Sequence, residues 1–182
     1  MASILLLNCG SSSIKYQLLD PEVGTPEAVG IVQRIGQTTS TIDHEVGEQE
    51  IHEDRAFAEH TEAVSAMVQM FNEHGPSLDK VVAVGHRTVH GGSEFVESTL
   101  IDDAVIAKMR DLIPLAPLHN PPAIAGIEGA QEVLPDVPHV AIFDTAFFSS
   151  LPEEAYTYAI DREITKKYDI RRYGFHGTSH KF

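Results

Sequence analysis

The sequence predicts an α/β domain with a mixed sheet, and three observations carry that prediction. Strand-like runs come first, one clearly helical segment follows, and buried apolar runs then alternate with helical ones. Ile4–Leu7 is a short apolar run, Asn8-Cys9-Gly10-Ser11-Ser12-Ser13 is a turn-rich stretch, and Ile14, Tyr16 and Leu18 alternate with Lys15 and Gln17. That pattern is a β-hairpin with an unusually polar turn. Further strand-like pieces span Ala28–Ile35 and Thr38–Val46, so mostly antiparallel strands open the chain. In Ala56–Phe71, Val64, Met67, Val68 and Phe71 recur at helical spacing, and Gly75-Pro76 stops the helix. Val81–Val84 reads as a buried strand, Asp102–Leu112 as a short helix opened by acids, Pro122–Val133 as a helix, and Val140–Phe143 as another buried strand. A boundary is expected near Ser149–Pro152, giving a main unit over residues 1–150 and a segment, 151–182, too short for a core of its own.

Composition narrows the function. The 182 residues are 42% hydrophobic and 22% charged, as a folded domain requires. A net charge of -14 opposes nonspecific binding to nucleic acid or an anionic membrane, since either polyanion needs a basic face. The charge is uneven: six of the 13 Lys and Arg residues lie from Asp161 onward, against three acids, leaving that stretch positive by three. The acid-rich interval Asp43–Glu62 reads as a solvated face. Cys9 is the single cysteine, so no intramolecular disulfide forms and the cytoplasm is the expected compartment. The opening Met1–Leu7 lacks the charged start of a signal peptide and reads as a strand, and no stretch approaches the ~20 apolar residues of a membrane span.

Four segments carry chemistry. Asn8–Lys15 combines a turn of small residues, three hydroxyls and a cation, which together suit an anion; the Walker A spacing is absent, and plain turn chemistry explains the serines equally well. Gly85-His86-Arg87-Thr88-Val89-His90-Gly91-Gly92 follows a buried strand, where α/β sheets present ligand groups, and Arg87 offers a planar fork for carboxylate or phosphate. His86 and His90 read as structural, because no Asp, Glu or Cys completes a metal set. Asp144 ends the strand before Thr145-Ala146-Phe147, as a cap or as a catalytic carboxylate. Residues Arg171–His180 gather two arginines, two histidines and two glycines, a density that points to an anion more than to structure.

Together and in this order, N-C-G-S-S-S-x-K, G-H-R-x-V-H-G-G, A-P-L-H-N-P-P, F-D-T-A-F and R-R-Y-G-F-H-G-T-S-H-K resemble the acetate kinase family. The resemblance implies the actin-like ATPase fold shared by acetate and sugar kinases, Hsp70 and actin, in which two similar domains close on a nucleotide. Residues 151–182 would begin the second domain. It implies phosphoryl transfer between ATP and acetate, with Mg2+, in a homodimer. By position, Asn8 corresponds to a residue associated with the magnesium ion, and Ser11, Ser13 and Lys15 to the nucleotide phosphates. Arg87 corresponds to the substrate arginine, Asp144 to the catalytic aspartate and His176 to the transition-state histidine. Val89, Leu118 and Phe175 correspond to the pocket for the methyl group. Phe148 stands where many relatives carry a histidine. Because acetate is already ionised near neutral pH, Asp144 is expected to orient Arg87 or a magnesium-bound water, with no base needed. Family members are roughly twice this length, so residues 1–182 alone are expected to lack part of the nucleotide cleft and to be inactive. The competing readings are a propionate kinase, a noncatalytic phosphate- or acyl-phosphate-binding module, and a metal hydrolase on His86, His90, His176 and His180.

Overall fold

The computed structural model describes residues 2–182. Eight strands form one sheet in the order β5-β4-β3-β2-β1-β6-β8-β7. β1 (Ser3–Cys9) and β2 (Ser13–Leu19) make the expected hairpin, and β3 (Pro26–Gln33), β4 (Thr41–Val46) and β5 (Gln49–Asp54) extend it antiparallel. On the other side of β1, β6 (Val81–Thr88) and then β8 (His139–Phe143) join in parallel, and the two-residue β7 (Thr99–Leu100) closes the edge antiparallel.

Alternation along the hairpin decides which face is covered. Leu5, Leu7, Ile14, Tyr16 and Leu18 point to one face and are buried beneath α1 (His60–His74), which contributes Val64, Met67 and Phe71. α3 (Asn120–Val133) packs beside α1 and over β1 and β6. α2 (Asp103–Asp111) joins a second cluster, in which Ile106, Met109, Ile127 and Phe143 meet. An apolar side chain of this size withdrawn from water contributes roughly 1.5–3 kcal/mol, so these clusters anchor the parallel strands whose ends carry the polar motifs.

The chain differs from expectation in three places. A fifth antiparallel strand, β5, joins the hairpin and the two further runs that were expected, and it went unread because it hides inside the acid-rich interval. Only the half-buried Ile51 is apolar there, and the flanking acids leave a charged outer edge that discourages pairing with another chain. β6 runs on through Gly85-His86-Arg87-Thr88, so Arg87 lies inside the strand. α3 begins two residues early, at Asn120, with the prolines in its first turn, where their missing N–H groups cost nothing. Beyond the 3-10 turn Asp144–Phe148, the chain forms only three short helices: α4 (Glu153–Tyr156), α5 (Arg162–Tyr168) and α6 (Gly177–Lys181). Its last part folds back on the strand ends: the Tyr173 ring lies 4.5 Å edge-on from His90, and α6 packs on the 3-10 turn. Among the described residues, no helix is long and apolar enough to cross a membrane.

Candidate active site at the strand ends

Strand register sets four side chains in a row across the sheet. Asn8 pairs with Lys15 on β2 and with Arg87 on β6, and Arg87 pairs with Ile142 on β8. Cross-strand partners share a face, so these side chains emerge together on the side opposite α1. Asp144 follows two residues after Ile142, where β8 gives way to the 3-10 turn, and is 1% exposed.

Arg87 is fixed from two sides. Its Nε and Nη2 donate to Asp144 Oδ2 at 3.1 and 2.5 Å, and its Nη1 donates to Asn8 Oδ1 at 3.1 Å. The other carboxylate oxygen, Oδ1, accepts from Thr178 Oγ1 at 2.7 Å. A buried carboxylate is costly unless paired and hydrogen-bonded, and both oxygens of Asp144 are satisfied. Gly91 N–H donates to Thr145 Oγ1 at 2.9 Å, tying the loop after β6 to the loop after β8.

Two hollows share the Arg87 side chain. One, of about 380 Å³, is lined by Asn8, Lys15, Gln17, Ile142 and Thr178 as well as Arg87. The other, of about 360 Å³, is lined by Val89, Leu118, Phe175, Asp144 and His176 together with Arg87. Leu118 and Phe175 are 71% and 52% exposed, so the apolar wall is open on one side. Ser11 and Ser13 border neither hollow: Ser11 is exposed on the hairpin turn and Ser13 is half-buried beside it. His176 holds a left-handed backbone, φ 56°, directly before α6. Gly177 permits this placement, since a β-carbon there would fall 1.9 Å from the Asp144 carbonyl oxygen.

Other groups from the same motifs serve packing. His86 is buried, stacks on His139 at 5.2 Å and shares a 2.9 Å hydrogen bond with it; burial, and secondarily His139, pushes the His86 pKa down to about 3. Burial also lowers the pKa of His90, whose Nδ1 accepts from Gly92 N–H. His180 stacks on Phe147. The four histidines of the hydrolase reading therefore do not converge, and the three-residue metal-competent cluster among the described residues, Glu53, Glu73 and His74, contains none of them. The expectation that the last segment brings its arginines to the anion is corrected: Arg171 lies 4.0 Å over the Tyr156 ring, and Arg172 donates to the Ala155 carbonyl. Phe148 presses on Gly174 and meets His180 edge-on at 5.7 Å, so it helps dock the last segment.

Sequence reasoning missed Thr178, although it lies two residues beyond His176 in a quoted motif; nothing local says that its hydroxyl meets a carboxylate 34 positions earlier. It also missed His60, whose Nε2 lies 2.7 Å from the Gly10 carbonyl.

A mixed sheet whose parallel strand ends hold an Arg–Asp pair between two hollows defines an α/β domain with a candidate ligand site at its strand ends. Residues 3–182 match the acetokinase family, and the chain belongs to it. It is 54% identical over its whole length to an acetate kinase of Clavibacter michiganensis subsp. michiganensis, covering 46% of that protein. Among solved structures it aligns along its whole length with Porphyromonas gingivalis acetate kinase, at TM-score 0.93, 41% identity and 47% of that chain. It aligns equally with a propionate kinase from Francisella tularensis subsp. tularensis, at TM-score 0.93, 40% identity and 47% of that chain. The fold is therefore the one the motifs implied, and the chain spans about half the length of these relatives.

Proposed function

We propose that the protein carrying this sequence is an acetate kinase, transferring the γ-phosphoryl group of ATP reversibly to acetate to give acetyl phosphate and ADP. The observation that carries the reading is Arg87 standing between a cleft with Lys15 and Asn8 and a pocket with Val89, Leu118, Phe175 and His176. The cleft suits a polyphosphate, and the pocket suits a carboxylate with a small apolar tail.

The chemistry follows from positions. An acetate oxygen attacks the γ-phosphorus, the bond to the β-phosphate oxygen breaks, and ADP leaves with that electron pair; no proton moves, because acetate is already ionised near pH 7. The loose, in-line transition state carries charge on three equatorial oxygens, so the protein's work is placement and neutralisation. A guanidinium has five N–H donors, and three are committed to Asp144 and Asn8. Two remain for acetate or the transferring group, with the plane already set. Asp144 thus orients Arg87, His176 donates to an equatorial oxygen, and Lys15, with Ser11 and Ser13 on the adjoining turn, faces the phosphates.

Magnesium fits this donor set in a limited way. Mg2+ is commonly held by one or two protein oxygens together with waters and substrate phosphates; Asn8 Oδ1, with one bond to Arg87, would supply one, and Asp144, whose oxygens are already paired, would meet the ion through a bound water. The ion would neutralise nucleotide charge there. A homodimer and a cytoplasmic location belong to the same proposal, the first resting on the family resemblance and the second on the lone Cys9; light scattering and fractionation check them.

The test, on the full-length protein, is trapping acetyl phosphate with hydroxylamine from ATP, magnesium and acetate. Hydroxamate forming with acetate and ATP supports the proposal, and none above the enzyme-free rate refutes it. Propionate is a second reading, favoured by the propionate kinase neighbour and the open wall at Leu118 and Phe175. One methylene in an apolar pocket changes selectivity by only about 1–3 kcal/mol, so the ratio of kcat/KM for the two acids decides it.

A further inference from the structure

The hairpin turn between β1 and β2 is closed by one backbone bond, Gly10 N–H to the Ser13 carbonyl at 2.7 Å. In an ordinary two-residue hairpin loop the reciprocal bond runs from the last residue's N–H to the first residue's carbonyl. Among the described residues, that Ser13-to-Gly10 bond is not made. The Gly10 carbonyl faces His60 Nε2 at 2.7 Å instead, across 50 residues of sequence, and the Ser12 carbonyl accepts from Ile35 N–H at 3.0 Å. His60 opens α1, which covers the face bearing Ile14 and Tyr16, whereas Lys15 projects from the opposite face. Two carbonyl oxygens of the turn are therefore engaged, that of Gly10 by α1 on the face away from Lys15 and that of Ser12 by the chain leaving β3.

We infer that His60 is a positioning residue for the phosphate loop: by engaging the Gly10 carbonyl, it keeps the turn from closing on itself and leaves the N–H groups of Ser11–Ser13 for a phosphate chain. An oxygen left on the Lys15 side would repel that chain, and a doubly closed turn would engage the Ser13 N–H. The tie needs a proton on Nε2, so that the ring donates and the Gly10 carbonyl accepts. His60 touches no reactant and acts through Gly10. The inference deepens the kinase reading and rests on it for the identity of the anion.

The experiment compares the unaltered full-length protein with His60→Ala and His60→Gln, the glutamine amide nitrogen reproducing the Nε2 donor. Two readouts are taken: initial rates with ATP and acetate varied separately, and calorimetric titration with inorganic tripolyphosphate, which is the nucleotide's phosphate chain without its base. His60→Ala is expected to raise the KM for ATP and the tripolyphosphate Kd about five- to tenfold, the size of one net hydrogen bond. The KM for acetate should stay within about twofold, and His60→Gln should restore both altered values. Equal tripolyphosphate affinity in all three proteins overturns the inference, as does an equal rise in both KM values in both variants, or no tripolyphosphate binding by the unaltered protein. A protein that binds tripolyphosphate in the expected order but makes no acetyl phosphate overturns the kinase reading and leaves the role of His60 supported.

Discussion

Arg87 commits three donors inside the protein and keeps two for what arrives, so its substitution removes both the anion contact and the group that neutralises Asp144. Arg87→Ala is expected to lower kcat/KM for acetate by ~10²-fold or more. Arg87→Lys should recover little, because an ammonium cannot serve Asn8, Asp144 and an anion in one plane. Steady-state kinetics on both variants checks this; activity within a fewfold of normal would remove Arg87 from the mechanism. Thr178 acts one step further out, through Asp144 Oδ1. Thr178→Val leaves that buried oxygen without a donor, a penalty of about 1–3 kcal/mol. It should lower kcat roughly tenfold with the KM for ATP unchanged, whereas Thr178→Ser, which keeps the hydroxyl, stays within about threefold.

At the scale of elements, the docking of α6 brings His176 to the site, and a single glycine decides it. A β-carbon at position 177 would collide with the Asp144 backbone at 1.9 Å, and backbone cannot step aside as a side-chain tip can. Gly177→Ala is therefore expected to lift α6 from the 3-10 turn. Activity should be lost while the melting temperature moves by only a few degrees, because α6 contributes no core side chain. Hydrogen exchange should show faster exchange over 177–182 and none over β1 or β6. Legibility in the sequence follows the same division. The hairpin, α1, the two parallel strands and the site loops announce themselves through alternation, helical spacing and clustered glycine and charge. β5 does not, since acids mask its period and Ile51 is its one apolar residue. Arg171 and Arg172 misled because composition counts charge without direction, and both cations turn to aromatic rings nearby. Thr178 and His60 were out of reach because each meets its partner only after the sheet is assembled.

For the whole molecule, acid is the expected weakness. His44, His86, His90 and His139 have folded-state pKa values below the ordinary 6.5, all chiefly through burial, with His86 down at about 3. Unfolded, they bind protons near pH 6.5. Below that pH the unfolded chain takes up protons that the folded chain refuses, so stability falls as pH drops from 6.5 toward the folded values. His52 has the opposite sign, raised first by its hydrogen bond to Asp43, but it is solvent-exposed. Calorimetry between pH 7 and 4.5 should show a falling melting temperature. His86→Leu should be less stable throughout yet show a shallower slope, and an unchanged slope would remove His86 as a contributor.

One guanidinium forming a wall of both hollows also makes their occupants thermodynamically aware of each other. An anion seated on either side takes up part of the same positive field, so the second should bind more weakly than it would alone. Linkage requires the penalty to be identical whichever is loaded first. Acetate affinity measured with and without saturating tripolyphosphate, and the reverse titration, should therefore yield one and the same antagonistic factor.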